Sequence, residues 1–463
     1  MAGMWKSLFQ NQSRKSPAQS RWGITLIELM IAVALTTIIL GAMIAVFRFS
    51  SQEISKGRAT LEMASQLRIA AELMRSDLEN VTVPLRPWAT DSNANGYFEY
   101  VEGPDSDRYE FITNDAGVAD VVDVGASMSD SRVNGASYLG DHDDILAMTI
   151  RSKSRPFKGR FNGATIESYV AEVVWWTVRE DAARAVDIDG EVDFVDHIKL
   201  YRRLLLVRPD LSTAETNIAD FYDNNDVSVR PRGGALVTNS LGDLAKRENR
   251  FAHDAGTFPH AFMRNVINVR PLTGEFQGTD IMLTNVAAFD IKVFSPNALV
   301  NEFIDQVVDS NDPGFDSTVG SNEGAYVDLG FNMNPANSAM ELFASNAWFA
   351  GNPDINSQMD AFIGNVGSGN LGRTWCTWSP HYEYDGINQE LTTVNSLPTD
   401  TIVDQATDGI DNNNRFGPDD DSERETKPPY PYKIRSIQIA IRMIDKNSGQ
   451  SRQMTVRHSG VPE

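Results

Sequence analysis

One long apolar run near the N-terminus most constrains what this chain can fold into. Residues 24–47 form 24 positions that contain a single charged residue, Glu28. At about 1.5 Å per residue, a helix of this length spans roughly 36 Å, which is enough to cross a bilayer with some tilt. The sequence therefore predicts a transmembrane helix over residues 24–47.

The residues before this run are basic. They contain Lys6, Arg14, Lys15 and Arg21 and no acidic residue. Because cations beside a membrane helix stay in the cytoplasm, the positive-inside rule places residues 1–23 inside and the C-terminal bulk of the chain outside. A secretory signal peptide would have a shorter apolar region that ends in a cleavage site of small residues. We therefore expect any cleavage to lie before the apolar run.

The junction between these two segments contains a processing motif. Residues 23–30, GITLIELM, closely resemble the type IV prepilin signature, in which a glycine precedes a hydrophobic residue and a glutamate lies five places after the cut. The resemblance implies cleavage between Gly23 and Ile24 by a prepilin peptidase on the cytoplasmic face. It also implies N-methylation of Ile24 and assembly into a filament with other pilin or pseudopilin subunits.

Glu28 fits this resemblance on physical grounds. A carboxylate inside hydrocarbon is costly unless it meets a counter-charge. The resemblance implies that Glu28 of one subunit pairs with the Ile24 amine of its neighbour and so selects the register of assembly. The alternative is a plain signal-anchor helix that contains one stray glutamate.

The helical pattern continues beyond the membrane segment. Between Ser50 and Asn80, apolar residues recur at steps of three, four or seven with charges between them, and no proline occurs before Pro84. We therefore expect one helix over residues 24–80. Its second half needs a sheet to cover its apolar face.

Later segments supply the strands of that sheet. They are rich in β-branched and aromatic residues, and the last two flank a turn at residues 445–450. A helix followed by hairpins indicates an α+β fold, with a pilin-like long N-terminal helix packed on an antiparallel β-sheet. The predicted strands cover residues 144–151, 168–179, 197–208, 286–294, 434–444 and 452–457.

The charge of the chain is concentrated in one segment. Residues 301–430 contain 22 acidic and four basic residues together with 16 Asn and 12 Gly, against a net charge of −22 for the whole chain. We expect a large loop-rich lobe inserted into the sheet. The predicted organisation is a cleaved leader at 1–23, the helix at 24–80, a β-rich domain at 81–300, the lobe at 301–430 and a C-terminal β-hairpin at 431–463.

The loop after the helix matches a calcium-binding pattern. Residues 91–102, DSNANGYFEYVE, fit D-x-[DN]-x-[DN]-G-x5-E at every specified position. Calcium prefers six to eight oxygen ligands. Nearby prolines and strand-like residues argue against the paired helices of an EF-hand, so we expect a structural calcium clip, with a solvated Asx-type turn as the alternative. The expected ligands are Asp91, Asn93, Asn95, the Tyr97 carbonyl, Glu99 and Glu102.

A second acidic stretch resembles calcium-binding repeats more weakly. Its Arg415 falls where an oxygen ligand would be expected, so a calcium site and a plain acidic loop stay equally open. The candidate ligands are Asp408, Asp411, Asn413, Asp419 and Asp421.

Composition and motifs exclude several other classes. A pI near 4.7 opposes nucleic-acid binding, because an acidic surface repels phosphate. The single cysteine, Cys376, forbids an intrachain disulfide, and it lacks any sequence cue for activation. The six histidines show neither HExxH nor paired metal spacing. We therefore expect no enzyme.

These features together predict a minor pilin or pseudopilin, with a resemblance to the W-type minor pilins of type IV pili and the J-type pseudopilins of type II secretion. The resemblance implies a subunit that waits in the inner membrane with its C-terminal domain outside the cytoplasm. It would then join, prime or cap a periplasmic or cell-surface filament. The alternative is a pilin-anchored, calcium-dependent surface adhesin or ligand-binding protein.

Overall fold

The structure, a computed structural model, combines one long N-terminal helix with antiparallel β-sheets, so the predicted α+β class is confirmed. The chain divides into two compact units, Met1–Arg58 and Ala59–Glu463, which are described separately below. The structure describes residues 25–86, 96–102, 109–113, 119–123, 141–179, 198–255, 260, 262, 271–296, 298–303, 306–308, 321–322, 324–329, 374–377, 417–418, 433–445 and 450–460.

Helix α1 spans Leu26–Glu79, 54 residues, and its N-terminal part forms the described portion of the first unit. The side chains of this part are almost all exposed, and the helix is long and apolar enough to cross a membrane. Thr25 and Glu28 cap the N-terminus of the helix with reciprocal hydrogen bonds. Thr25 Oγ1 accepts the Glu28 N–H at 3.3 Å, while Glu28 Oε2 accepts the Thr25 N–H at 3.0 Å. This reciprocal pair is a capping box.

The C-terminal part of α1 belongs to the second unit and buries one face. Met63, Leu67, Ala70, Met74 and Leu78 are each at most 5% exposed, and they recur at steps of three and four. The predicted helical periodicity is therefore confirmed over residues 63–78, whereas Ile54 and Leu61, which belong to the same pattern, are exposed.

The described part of the second unit also contains two short helices and 19 strands. The helices are α2, Ile218–Asn224, and α3, Leu241–Leu244. The strands are β1 Phe98–Val101, β2 Tyr109–Thr113, β3 Ala119–Asp123, β4 Ile145–Arg151, β5 Phe157–Phe161, β6 Ala164–Ser168, β7 Val170–Arg179, β8 Ile198–Leu206, β9 Val229–Arg232, β10 Ala235–Thr238, β11 Ile281–Leu283, β12 Val286–Ser295, β13 Leu299–Phe303, β14 Gln306–Val308, β15 Ser321–Asn322, β16 Ala325–Val327, β17 Thr374–Cys376, β18 Ser436–Asp445 and β19 Gln450–Ser459.

Two main sheets contain ten of these strands. The six-stranded sheet has the order β11-β8-β7-β4-β1-β17, and the four-stranded sheet has the order β16-β12-β18-β19. The smaller pairings are β2 with β3, β5 with β6, β9 with β10, and β13 with both β14 and β15. All six predicted strands form within a few residues of their expected bounds. The predicted C-terminal hairpin is β18–β19, in which Asp445 lies opposite Gln450.

The six-stranded sheet separates two apolar cores. On β4, Leu146 and Met148 face a first core that also contains the buried face of α1 and residues of the four-stranded sheet such as Phe289. Ile145 and Ala147 face a second core, whose other side is built from the chain after β8. Because side chains alternate between the two faces of a strand, successive residues of β4 face the two cores in turn.

The acidic segment 301–430 is not only an insertion, because it supplies an edge strand to each main sheet. β16 pairs with β12 in the four-stranded sheet, and β17 pairs with β1 in the six-stranded sheet. Cys376, in β17, is 1% exposed, as expected of a small core residue. Most of the segment lies outside the described residues.

Within the second unit, one buried ion pair connects α1 to the six-stranded sheet. Asp77 is 2% exposed and accepts two hydrogen bonds of 2.8 Å from the Arg202 guanidinium. It also accepts the Trp175 indole N–H at 2.9 Å. A two-pronged arginine–carboxylate pair restricts orientation as well as distance. The contact therefore fixes how this part of the helix is rotated against the sheet.

We expect Asp77→Ala to lower the free energy of unfolding by about 3–5 kcal/mol, because it leaves the Arg202 cation buried without its anion. The measurement is chemical denaturation of the full chain in detergent micelles. Glu72→Ala is the matched control, since Glu72 is exposed on the same helix and pairs with Arg75. Equal losses in the two variants would show that the Asp77 pair contributes nothing specific.

Candidate metal centre

Three buried carboxylates converge where β1 ends and β4 begins. Glu102 follows β1, while Asp141 and Asp144 precede β4. One ligand oxygen from each residue lies within 4.8 Å of the other two, and no side chain is more than 4% exposed. This triad can hold a metal ion.

The register of the six-stranded sheet brings the triad together. β1 and β4 are antiparallel, and Val101 lies opposite Ile145. Continuing this register by one residue places Glu102 beside Asp144. The convergence therefore follows from strand pairing between segments that are distant in sequence.

Backbone N–H groups in or just after strands of the four-stranded sheet donate hydrogen bonds to the same carboxylates. Asp144 Oδ2 accepts the Ile291 N–H at 2.6 Å, and Ile291 lies in β12. Glu102 Oε2 accepts the Leu329 N–H at 3.2 Å, and Leu329 follows β16. The triad therefore lies where the two main sheets meet.

Two more buried acids and one lysine lie in the same region. Asp290 and Asp328 are 6% and 9% exposed. Lys292 Nζ lies 2.8 Å from Asp290 Oδ2 and 3.9 Å from Asp328 Oδ1. We name the five carboxylates the acidic seam: Glu102, Asp141, Asp144, Asp290 and Asp328.

Electrostatics at the acidic seam favour uptake of positive charge. Burial raises the pKa of Glu102 well above its ordinary value, and Asp144 and Asp328 raise it further. Burial, followed by Asp144 and Glu102, likewise raises the pKa of Asp141. Buried carboxylates that repel one another must take up protons or a cation. Oxygen-only ligands of this kind suit hard divalent cations rather than zinc or copper.

One oxygen of Glu102 is available to such a cation. Glu102 Oε2 is contacted by the Tyr100 hydroxyl and by the Leu329 N–H. Its other oxygen, Oε1, is buried and has no hydrogen-bond partner among the described residues. A buried carboxylate oxygen without a partner is costly in a protein that offers no cation.

The structure describes only the C-terminal part of the calcium loop predicted from the sequence, residues 96–102. Asp91, Asn93 and Asn95 lie outside the described residues. The Tyr97 carbonyl accepts a 2.9 Å hydrogen bond from the Thr149 N–H.

Gly96 behaves as that loop pattern requires. Its φ is +102°, and a Cβ there would lie 2.0 Å from Thr149 Oγ1, so this turn needs glycine. Among the expected ligands, Glu102 lies in the triad. The weaker candidates also lie outside the described residues: Asp408, Asp411, Asn413, Asp419 and Asp421.

Glu99 faces the second core and is surrounded by cations. Arg247, Arg250 and His253 place side-chain nitrogens 2.9, 2.8 and 2.9 Å from its carboxylate, and all four side chains are fully buried. Burial alone would raise the pKa of Glu99, but Arg247, His253 and Arg250 together hold it well below its ordinary value. Glu99 therefore acts as a structural anion in the second core.

Sequence reasoning missed Asp141, Asp144 and Asp290. The signal for the first two was the run DHDD directly before a buried strand. The signal for Asp290 was a charge inside the apolar strand VAAFDIKVF, at a position that the structure buries. A charged residue on the buried side of a strand indicates a partner that the sequence alone does not name.

The processing residues fall at the edge of the described chain. Gly23 and Ile24 lie outside the described residues, while Glu28 lies in the first turn of α1. Comparisons with protein-family models, with curated proteins and with solved structures gave no match for this chain. Any assignment of function therefore depends on the residues themselves.

We expect Glu99→Gln to lower the free energy of unfolding by about 3–5 kcal/mol at neutral pH, because two buried arginines lose their anion. A depressed pKa contributes stability above the ordinary value, here 4.5, and that contribution is lost as the pH falls below it. The difference between parent and variant should therefore narrow below about pH 4.5.

The measurement is urea denaturation of the full chain in micelles at several pH values. Glu167→Gln is the control, because Glu167 forms an exposed pair with Lys158. A difference between parent and Glu99→Gln that stays constant from neutral to acid pH would contradict the depressed pKa of Glu99.

Proposed function

We propose that this protein is a minor pilin or pseudopilin, a subunit that a prepilin peptidase processes and that then joins, primes or caps a filament. The observation that supports this proposal best is the motif GITLIELM at the head of an apolar helix. That helix continues without interruption to Glu79, so its C-terminal part enters the core of the second unit.

The first turn of α1 suits the role proposed for Glu28. Its carboxylate accepts both the N–H and the hydroxyl of Thr25, each at 3.0 Å, which holds it at the N-terminal end of the helix. After cleavage the new amine would belong to Ile24, one residue before Thr25. A neighbour's amine that approached this helix end would neutralise a carboxylate that is otherwise costly in hydrocarbon. Subunits without that pairing would be disfavoured in the membrane.

The size of the second unit supports a terminal position in the filament. The second unit is Ala59–Glu463, and the resemblance to pilins implies that a unit of this size is far bulkier than the domains of subunits that tile a filament shaft. Lateral crowding is relaxed at a tip or during priming. We therefore propose that the subunit acts at the start or the end of a filament.

We propose calcium as the ion of the metal centre. Calcium accepts irregular sets of carboxylate and carbonyl oxygens, whereas magnesium requires near-ideal octahedral geometry and keeps several waters. The triad Glu102, Asp141 and Asp144 is buried and supplies oxygen ligands only. A domain exported from the cytoplasm would meet calcium at the levels that extracellular modules bind, Kd of about 10⁻⁴–10⁻³ M.

The filament role predicts a mature N-terminus at Ile24 and a requirement for Glu28. Mass spectrometry of the purified protein should find residues 1–23 removed. Glu28→Ala should still be cleaved but should fail to enter filaments. Glu53→Ala is the matched control, because Glu53 lies on the same helix in an exposed pair with Lys56.

Residues 1–23 still attached in cells with active prepilin peptidase would overturn the filament role. If Glu28→Ala retained surface binding to a ligand without any filament, the adhesin alternative would replace it.

The calcium assignment predicts a stabilisation that depends on Glu102. At a calcium concentration 100 times Kd, the full chain in micelles should gain about 2.7 kcal/mol of unfolding free energy, and EDTA should reverse the gain. Glu102→Gln should lose most of this gain. Asp210→Asn should keep it, because Asp210 lies in an exposed pair with Arg208. An equal calcium response in Glu102→Gln would place the ion elsewhere.

A further inference from the structure

The edge of β12 is shared between two partners. β16 pairs with β12 only at residues 293–295. Before that point, the Phe289 N–H donates to the Asp141 carbonyl at 2.9 Å, and the Ile291 N–H donates to Asp144 Oδ2 at 2.6 Å. The segment that leads into β4 of the six-stranded sheet therefore borders a strand of the four-stranded sheet.

Residues at the end of β1, in the six-stranded sheet, also contact the four-stranded sheet. The Tyr100 hydroxyl contacts both Glu102 Oε2 and the carbonyl oxygen of Ile291. The Leu329 N–H donates to the same Glu102 oxygen at 3.2 Å. Carboxylates of one sheet thus receive hydrogen bonds from backbone groups that belong to, or directly follow, strands of the other.

The two acids on the four-stranded side belong electrostatically to the triad. Asp290 directly precedes Ile291, whose N–H donates to Asp144, and Asp328 directly precedes Leu329, whose N–H donates to Glu102. In keeping with this placement, both acids raise the pKa of Glu102. Lys292 Nζ lies 2.8 Å from Asp290 and 3.9 Å from Asp328, so this cation contacts two of the five buried carboxylates.

The unpartnered oxygen of Glu102 is a second, independent indication of a ligand. Glu102 is 4% exposed, and its Oε1 makes no hydrogen bond with the described residues. The carboxylate belongs to the group whose oxygens converge within 4.8 Å. A buried carboxylate that has an unpartnered oxygen and belongs to such a group is what a buried cation requires.

We propose that one divalent cation joins the two sheets, held by Glu102, Asp141 and Asp144 on one side and drawn by Asp290 and Asp328 on the other, with Lys292 as an internal counter-ion that competes with it. This inference rests on the proposed calcium site and is independent of the filament role. The cation is a structural link across the acidic seam. Lys292 partly neutralises the seam when the cation is absent and weakens the cation's binding when it is present.

The test is calorimetric titration of calcium into the full chain in detergent micelles, after removal of bound ions with a chelator. Asp290→Asn and Asp328→Asn should each weaken calcium binding about tenfold, because each removes one negative charge next to the ion. Lys292→Met should tighten binding by at least about threefold, and Lys292→Arg should leave it near the parent value.

Matched controls remove the same charges far from the seam. Asp210→Asn and Lys158→Met alter exposed pairs and should leave calcium affinity within about twofold of the parent. Asp328→Asn repeats the test of Asp290→Asn at a second position, so a folding defect in one of them leaves the prediction testable. Terbium offers a second readout, because Tyr100 contacts Glu102 and should sensitise its emission.

Hydrogen exchange tests the link between the sheets. Calcium should slow exchange of the Ile291 and Leu329 amides by about tenfold or more, since both donate to carboxylates of the triad. At the same calcium concentration, calcium should slow exchange of these two amides much less in Asp290→Asn.

Two results would overturn the inference. If Asp290→Asn and Asp328→Asn keep the parent affinity while Glu102→Gln loses it, the triad alone holds the ion. If the full chain binds no calcium, the calcium site itself fails together with this inference. Neither result depends on cleavage or filament entry, so the filament role is tested separately.

Discussion

The ion pair between Asp77 and Arg202 is the constraint on which the arrangement of the second unit depends. Apolar side chains on α1 would allow the helix several rotations about its axis, because dispersion contacts have little directionality. Asp77 removes that freedom. Its two partners, Arg202 and Trp175, lie directly opposite each other on β8 and β7. The Asp77 carboxylate therefore accepts hydrogen bonds from both members of one cross-strand pair. The face that buries Met74 is thereby fixed against the sheet.

Two buried carboxylates only three residues apart show how surroundings decide the role of the same functional group. Glu99 is in contact with two arginines and a histidine, and its pKa is held low. Glu102 is surrounded by other acids, and its pKa is raised by burial first and then by Asp144. In the first environment, side chains of the protein supply the positive charge that the carboxylate needs. In the second environment the carboxylates converge on one another, which makes it the place where a cation would stabilise the fold.

Local patterns in the sequence predicted the long helix and the strands that are rich in apolar residues. Helix α1 was predicted from its apolar run and the helical spacing that follows it, and the six strands were predicted from their β-branched and aromatic residues. The hairpin β5–β6 and helix α2 were missed, because their exposed or mixed residues have no clear period. The edge strand β17 was also missed: three residues in an Asn- and Gly-rich segment become a strand only because β1 offers an unpaired edge.

The calcium-loop pattern failed to predict the triad for a geometric reason. In an EF-hand, ligands three positions apart converge because the loop curls around the ion. Residues 98–101 instead form β1, and in an extended strand residues three apart point to opposite faces. Glu99 therefore enters the second core, while Glu102, just past the strand, meets Asp144. Since the Val101–Ile145 register decides that meeting, the metal centre is a property of sheet pairing, and no spacing within one segment could encode it.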